Sequence, residues 1–338
     1  MLTEFGSNVD KYLIKKTTED DRDYSYIHPS SFGGCLVHTW LQTMGEKPLV
    51  PQQAIKTRLF DNGHYVHLRN QIYAKESGML AKDKIIKKYE PDDILIGLEP
   101  KTKVKIEGES GRIYYYSPGE IIWRVDRKKS KTNLDIYIGT DNAPYWDTID
   151  NLKEGDEWWM IEVPVLDTTY HFGGHVDAVI INDGIETVID YKGINDYSWP
   201  YIYFDKKKKY MTRFPDNYNS SCFICGDNMK KAKEFCNHLV TQHINDIVLD
   251  FKYKVQLHIY MMILNLNQAL LWYENKNNQI VLDYLVQRDD NLIEKIQNNS
   301  LKFWNKVINK ERPSRQPDYK RTTLPCSYCD YAFQCWNN

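Results

Sequence analysis

The chain has 338 residues and a formal net charge of −2. That length bounds one large or two ordinary domains with a real core, and the near-neutral balance excludes a global basic field, so any nucleic-acid contact has to come from local patches. No run of about 18 apolar residues is present, which excludes a membrane-spanning helix. The first residues lack an apolar signal core, so no secretion signal is expected, and seven cysteines with two tight clusters favour a reducing, cytoplasmic compartment and metal ligation over a disulfide framework.

In chain order, residues 1–28 are polar with one short helical stretch. Pro29-Ser30-Ser31 predicts a helix start with serine as N-cap and Cys35 just inside. Residues 53–77 predict a helix with Leu59, Phe60, Val66 and Ile72 on one apolar side. Gly63 and His67, four apart, share a face of it. A glycine inside a helix costs about 1 kcal/mol relative to alanine, which points to close approach of another element or a ligand. Residues 93–158 are β-rich, with short strands at 94–98, 102–106, 113–116, 121–125 and 134–138 separated by Gly, Pro and charged turns. This reads as an insertion without recognisable chemistry. Residues 158–165 predict a further strand carrying Glu162.

The stretch 173–193 predicts a β-hairpin, its two apolar runs joined by Asp183-Gly184. A two-residue loop pairs Asn182 with Ile185; counting back, Asp177 lies opposite Asp190, and Lys192 shares the face of Asp190. Paired carboxylates bind hard cations such as Mg2+ or Mn2+ through oxygen, and a lysine beside them can hold a water or stabilise charge on a phosphate.

Basic patches follow at Lys206, Lys207, Lys208 and Lys209, besides those at residues 127–131 and 312–321. Cys222-x2-Cys225-x12-His238-x4-His243 has the spacing of a Cys-Cys-His-His zinc finger binding Zn2+, with Met229 and Phe235 where such fingers place their small core. The finger helix is expected to begin near Lys231, with Lys230, Lys231 and Lys233 as phosphate contacts. A lone finger covers only about 3 bp, and no arginine stands at its base-reading positions, so a clamp is expected rather than a sequence reader. Residues 246–264 predict a helix with Gln256 and Tyr260 on one face. Strands at 269–273 and 280–286 and an amphipathic helix at 290–310 come next. The chain closes with Cys326-x2-Cys329-x5-Cys335, three thiols that want a fourth ligand, for which Cys35 is the natural candidate. Spacing alone does not separate zinc from a 4Fe–4S cluster.

Taken in order, Cys35, Gly63-x3-His67, Gly174-x2-Asp177, Asp190-Tyr191-Lys192, Gln256-x3-Tyr260 and the terminal cysteines resemble the RecB-like branch of the PD-(D/E)XK nucleases. The closer likeness is to members with a four-cysteine 4Fe–4S cluster: CRISPR adaptation-type nucleases, AddB-type nuclease domains and viral relatives. No single element is specific; the order from residue 35 to 335 is. Three features depart from the pattern: the inserted finger, the long 93–158 segment, and Leu36 where a basic residue often follows the first cysteine.

The resemblance implies an α/β fold, a mixed β-sheet flanked by helices. It divides the chain into an N-terminal helical part (1–92), the β-rich insertion (93–158), the catalytic core (159–212), the finger (213–245) and a C-terminal part (246–338). His67, Asp177, Asp190 and the Tyr191 carbonyl would bind Mg2+ or Mn2+, with Glu162 as outer ligand. Lys192 would orient or activate water, and Gln256 and Tyr260 would position Lys192 or a phosphate. Cys35, Cys326, Cys329 and Cys335 would hold the 4Fe–4S cluster. The implied activity is a DNA exonuclease working on single strands or ends in replication, recombination or repair, with a helicase, polymerase or recombination protein as partner. The Asn-, Lys-, Ile- and Tyr-heavy composition fits a phage source and action in the host cytoplasm. The competing reading is a non-catalytic DNA- or protein-binding module led by the finger, which has no need of Asp177, Asp190 and Lys192 together.

Overall fold

The computed structural model describes residues 4–18, 24–49, 54–97, 99–125, 145–195, 251–315, 320–322 and 326–337. The finger, the basic runs at 127–131 and 206–209, and the strand expected at 134–138 lie outside these residues.

The chain enters through α1 (Glu4–Thr18), the one-turn α2 (Pro29–Phe32), α3 (Leu36–Thr43) and the long α4 (Ala54–Glu76). Pro29 occupies the first helical position of α2 and His28 is its N-cap. Proline's fixed φ suits that position and its missing N–H is an orphan there anyway, so serine is not the cap. Cys35 is not inside a helix either; it is the N-cap of α3. Gly33 follows α2, and glycine there lets the Lys252 backbone approach: a Cβ would stand 2.6 Å from the Lys252 Cα. Along α4, Val66 is buried but Phe60 is 60% exposed, contrary to the single apolar side expected. Among the described residues, Leu68, Ile72 and Ala74 in the C-terminal half of α4 pack against the core.

One five-stranded sheet has the order β12-β11-β10-β9-β8. Its members are β8 (Ile161–Asp167), β9 (Phe172–Asn182), β10 (Ile185–Ile194), β11 (Gln268–Asn275) and β12 (Val281–Gln287). β8, β9 and β10 form an antiparallel meander, β10 and β11 are parallel, and β12 returns antiparallel. A parallel step needs a crossover, and α5 (Phe251–Leu264) lies in that connection. The β9–β10 turn has positive φ at both Asp183 and Gly184, the geometry of a type I′ hairpin, and it sets the expected register, with Ile185 opposite Asn182. The pleat then sends Tyr191 towards α4 and Asp190 and Lys192 towards α5. The fold is therefore a mixed sheet with helices on both faces.

The other sheet is built from β1 (Lys82–Lys88), β2 (Asp92–Ile96), β3 (Glu99–Gly108), β4 (Ile113–Tyr116), β5 (Ile121–Arg124), β6 (Tyr145–Thr148) and β7 (Glu157–Trp159). Its order is β2-β3-β1-β7-β5-β6, with β4 on β3. It starts earlier than the β-rich segment read from the sequence because β1 is nearly all charged, KDKIIKK. Asp83 is tolerated in that strand because Ser110 and Tyr114 donate hydrogen bonds to its buried carboxylate, at 2.5 and 2.8 Å. Val104, Ile106, Tyr114, Tyr116 and Trp158 share one core with Leu257, Tyr260, Met261 and Leu264 of α5. Arg112 fastens the join, donating from Nε to the Leu264 carbonyl at 2.9 Å and pairing with Glu186 on β10.

The strand expected over 158–165 is two strands in two sheets, β7 and β8, parted at Met160. Just past the break, Glu162 has φ +46°, a left-handed conformation that is uncommon for a residue with a Cβ. Pairing between β8 and β9 skips there, from Ile161↔Ala178 to Val163↔Val176. Ile161 and Ala178 pack on the α4 side, whereas Val163 and Val176 join the core under α5. Both strands thus exchange faces at the Glu162–Asp177 step.

At the C-terminal end, α6 (Asp290–Ile308) is capped by Asp289, whose side chain accepts from the Leu292 N–H at 3.2 Å. Its stripe Ile293, Ile296, Phe303, Trp304 and Val307 is buried. The last helix, α7 (Ala332–Asn337), returns to the start of the chain. Tyr331 Oη donates to the Glu46 carbonyl at 2.9 Å and Gln334 Nε2 to the Lys47 carbonyl at 2.6 Å. No described helix is long and apolar enough to cross a membrane.

Candidate functional site

The ladder between β9 and β10 ends at Ile189↔Ala178. One residue further, at the position that would pair Asp177 with Asp190, the strands part. The Tyr191 N–H is taken by the Asp177 carboxylate, Oδ2 accepting at 2.7 Å. The Asp177 carbonyl, left out of the ladder by the Glu162 kink, accepts from Gln71 Nε2 at 2.9 Å, and the same amide donates to Glu162 Oε1 at 2.8 Å. Buried backbone groups require partners, so this opening is held rather than loose.

Helices on opposite faces of the sheet supply the rest. From α4, His67 Nδ1 stands 3.4 Å from Asp177 Oδ1. From α5, Gln256 Nε2 donates to Asp190 Oδ1 at 2.8 Å and lies 3.1 Å from Tyr260 Oη. Lys192 Nζ is 2.6 Å from Asp190 Oδ2 and sits over the Tyr253 ring, 5.3 Å from its centroid. The structure thus gathers His67, Glu162, Asp177, Asp190, Tyr191, Lys192, Gln256 and Tyr260. Asp190 Oδ2 is buried and its partner is the Lys192 ammonium. Sequence reasoning missed Gln71 and Tyr253. Gln71 is one helical turn beyond His67, the signal that could have found it. Gly63 was expected to mark close approach; no described atom lies within 4 Å of a Cβ built there.

The charges push against one another. Burial, with added repulsion from Asp177, pushes the Asp190 carboxyl up to about 6 although Lys192 opposes it. Burial also acts to raise Asp177, but its bond to His67 and the nearby Lys192 hold it below the usual range. Burial disfavours the Lys192 ammonium, yet Asp190 and Asp177 keep its pKa above the ordinary value. Burial likewise acts against the His67 cation and is outweighed by Asp177, so His67 is raised. Glu162 is raised by shielding of its carboxyl and by Asp177. Two carboxylates crowded together are a donor set that a hard divalent cation relieves. As placed, no three His, Cys, Asp or Glu side chains among the described residues close into a metal-sized group.

A separate group forms where the two ends of the chain meet. Cys35, Cys326, Cys329 and Cys335 are all free thiols, and Cys35, Cys329 and Cys335 share a small core with Val37, Leu41 and Tyr331. Burial pushes Cys329 up to about 11, with Cys35 and Cys326 adding to the shift. Cys326 is raised by burial and by Cys35 and Cys335. The buried Trp336 Nε1 makes no hydrogen bond yet lies where it favours the Cys326 thiolate, and His38 Nδ1 is 3.8 Å from Cys329 Sγ. The four thiols are near enough to raise one another, but as placed they too do not close into a metal-sized group among the described residues. The finger ligands Cys222, Cys225, His238 and His243, and Lys206, Lys207, Lys208, Lys209, Lys230, Lys231 and Lys233, lie outside the described residues.

No protein-family model and no curated protein matches this chain. Among solved structures it is similar to SSO0001, at 10% identity over 99% of this chain and 98% of that one, with a TM-score of 0.39. It is also similar to a phage-related exonuclease from Haemophilus somnus 129PT, at 15% identity over 44% of this chain and 60% of that one, with a TM-score of 0.25. Likenesses this distant carry no argument by themselves.

Proposed function

We propose that the chain is a divalent-metal-dependent deoxyribonuclease, an exonuclease that hydrolyses phosphodiester bonds in single strands or at DNA ends. The observation that carries this reading is the opening in the sheet where Asp177, Asp190 and Lys192 meet His67 from one helix and Gln256 from another. Asp177, Asp190, His67 and the Tyr191 carbonyl would hold Mg2+ or Mn2+, with Glu162 as an outer ligand. Such a cation, when bound, lowers the pKa of a water and neutralises charge on the scissile phosphate. Gln256 fixes the Asp190 carboxylate from behind, and Tyr260 backs Gln256. Lys192 has a raised pKa, so it keeps its proton at neutral pH. Its role is to orient the attacking water and stabilise phosphate charge, not to abstract a proton.

The four cysteines would hold a 4Fe–4S cluster joining the chain ends. The finger would bind Zn2+ and act as a DNA clamp near the cleft, in a cytoplasmic enzyme of replication, recombination or repair that works with a helicase, polymerase or recombination protein.

Proton competition tests the metal assignment. With Asp190 titrating at about 6, a proton excludes the cation below that pH. His67, also a ligand and raised above its ordinary 6.5, must lose its proton too, so apparent Mn2+ affinity should already fall as pH drops towards 6 and steepen towards about a hundredfold per pH unit below about 6, where both groups must be deprotonated. Calorimetric titration from pH 5 to 8 reads this directly; an affinity flat across that range would remove Asp190 from the metal site. A second expectation concerns Gln71, which holds Asp177 through its backbone. Gln71→Leu should lower kcat about tenfold and leave DNA affinity within about twofold, since displacement of a reacting group by a fraction of an ångström acts on the chemical step.

A further inference from the structure

The parallel strands β10 and β11 end side by side, with Gly193 opposite Glu274 and Ile194 opposite Asn275. In open α/β sheets, ligands bind outside the carboxyl ends of such strands. Gly193 directly follows Lys192 on β10, so this rim adjoins the catalytic opening along the chain itself. The pleat puts Gly193 on the same side as Tyr191, the side of α4.

Charged side chains meet around the Gly193–Glu274 pair. Glu274 is buried, and its two oxygens accept from Asn70 Nδ2, at 2.9 Å, and from Arg69 Nη2. Arg69 and Asn70 follow closely after His67 on α4, and the Asn70 carbonyl accepts from Tyr191 Oη at 3.5 Å. Direct contacts therefore tie the rim to the metal-binding residues. Just past β11, the Lys276 N–H donates to the Ile194 carbonyl at 2.7 Å. Its alkyl chain lies across residue 193, where glycine makes room: a Cβ there would stand 2.5 Å from the Lys276 Cε.

The charges around this pair do not balance. Glu274 neutralises Arg69, and Lys276 makes no ion pair with a described residue. Burial lowers the Lys276 ammonium, with no carboxylate to offset it; a shielded cation is unfavourable without an anion beside it. Arg69 engages Glu274 through one nitrogen and keeps 35% of its side chain exposed. A guanidinium carries five donors in a planar fork that suits phosphate.

We infer that this rim is a phosphate subsite, in which Arg69 and Lys276 take the phosphate of the DNA strand next to the scissile one. The inference rests on the nuclease reading and adds to it where the strand runs. Gly193 is two residues beyond Tyr191, roughly 7 Å at the rise of a strand, which suits a neighbouring phosphate rather than the reacting one. A single phosphate charge completes the balance. That phosphate is an internal diester or, at the first bond of a strand, the terminal phosphate.

The test uses the full chain. In EDTA, binding is read without cleavage, by fluorescence anisotropy of an internally labelled oligothymidylate against salt. Lys276→Gln should weaken binding about tenfold, the loss of one charged hydrogen bond, and reduce the salt slope by about 0.7, the equivalent of one single-strand phosphate. Arg69→Lys keeps a charge beside Glu274 but loses the fork, and should weaken binding too; thermal melts confirm that both variants fold. With Mn2+, Lys276→Gln should raise KM about tenfold and keep kcat within about twofold, because the contact is the same in ground and transition states. Two substrate changes locate the phosphate: a neutral methylphosphonate at the linkage next to the scissile bond, and removal of the terminal phosphate. One of them should weaken wild-type binding as much as Lys276→Gln does and weaken that variant no further. If neither does, or if Lys276→Gln keeps the wild-type slope and KM, the subsite is overturned. Wild-type chain that binds DNA with the expected Lys276 dependence but cleaves none overturns the nuclease reading alone; cleavage indifferent to Lys276 and Arg69 overturns the subsite alone.

Discussion

Lys192→Ala and Asp190→Ala should each abolish cleavage while leaving DNA binding largely intact. Lys192 sits 2.6 Å from Asp190 and over the Tyr253 ring, a setting that fixes a charged donor where phosphate charge develops. Removing one such preorganised group costs about 10²- to 10³-fold in kcat, and losing a metal-binding carboxylate costs at least as much. Affinity should survive, because these groups act at one phosphate while strand binding is spread over many contacts. In stability, Lys192→Ala should differ from a third variant, Asp190→Asn. Lys192→Ala removes the partner of a carboxylate only 1% exposed and leaves it crowded by Asp177, so its metal-free melting temperature should fall. Asp190→Asn is the milder change because it preserves shape and the Gln256 contact. Single-turnover cleavage, anisotropy and thermal melts read the three effects separately, and wild-type cleavage by Lys192→Ala would remove it from the mechanism.

The second large effect is expected at the cysteines. Anaerobically purified chain should be brown with a broad band near about 400 nm, the thiolate-to-iron charge transfer of an all-cysteine cluster. Cys35→Ser should bleach it and lower the melting temperature by about 10 °C or more, because a metal centre's binding energy is folding energy. The structure sharpens that expectation. Cys35 stands at the N-cap of α3 and Cys335 lies in α7. Arg312 and Arg315 both donate to the Cys335 carbonyl, at 2.5 and 3.1 Å. The centre would therefore tie the C-terminal arm to the first helices across nearly the whole chain. Leu36→Ala, one position from a ligand, should keep the colour. Colourless protein whose zinc content falls on Cys35→Ser would assign zinc to the four thiols.

How much of this was legible depends on where the information sits. The hairpin was readable because Asp183-Gly184 specifies a turn whose register fixes every later side chain, including Asp190 and Lys192. α6 was readable from its amphipathic stripe. Residues 158–165 misled because the chain changes sheets at Met160 and kinks inside β8 at Glu162, at φ +46°, neither of which composition records. β1 was hidden by its charges, and its one buried charge, Asp83, is tolerated because the β3–β4 hairpin brings Ser110 and Tyr114 to it. Gln71 was hidden for a related reason: its importance follows from a carbonyl on another strand that the kink leaves unpaired.

The central claim is metal-dependent hydrolysis of DNA at the opening between β9 and β10, and digestion of end-labelled DNA by the purified wild-type chain tests it most directly. Linear single strands labelled at the 5′ or the 3′ end, a linear duplex and a circular single strand would each be incubated with Mn2+, with Mg2+ and with EDTA. The account predicts loss of the linear single strand with either cation, slower loss of the duplex from its ends, an intact circle, and no loss in EDTA. Cutting of the circle would contradict the exonuclease assignment, and cleavage that persists undiminished in EDTA, or no cleavage of any substrate with either cation, would contradict the account itself.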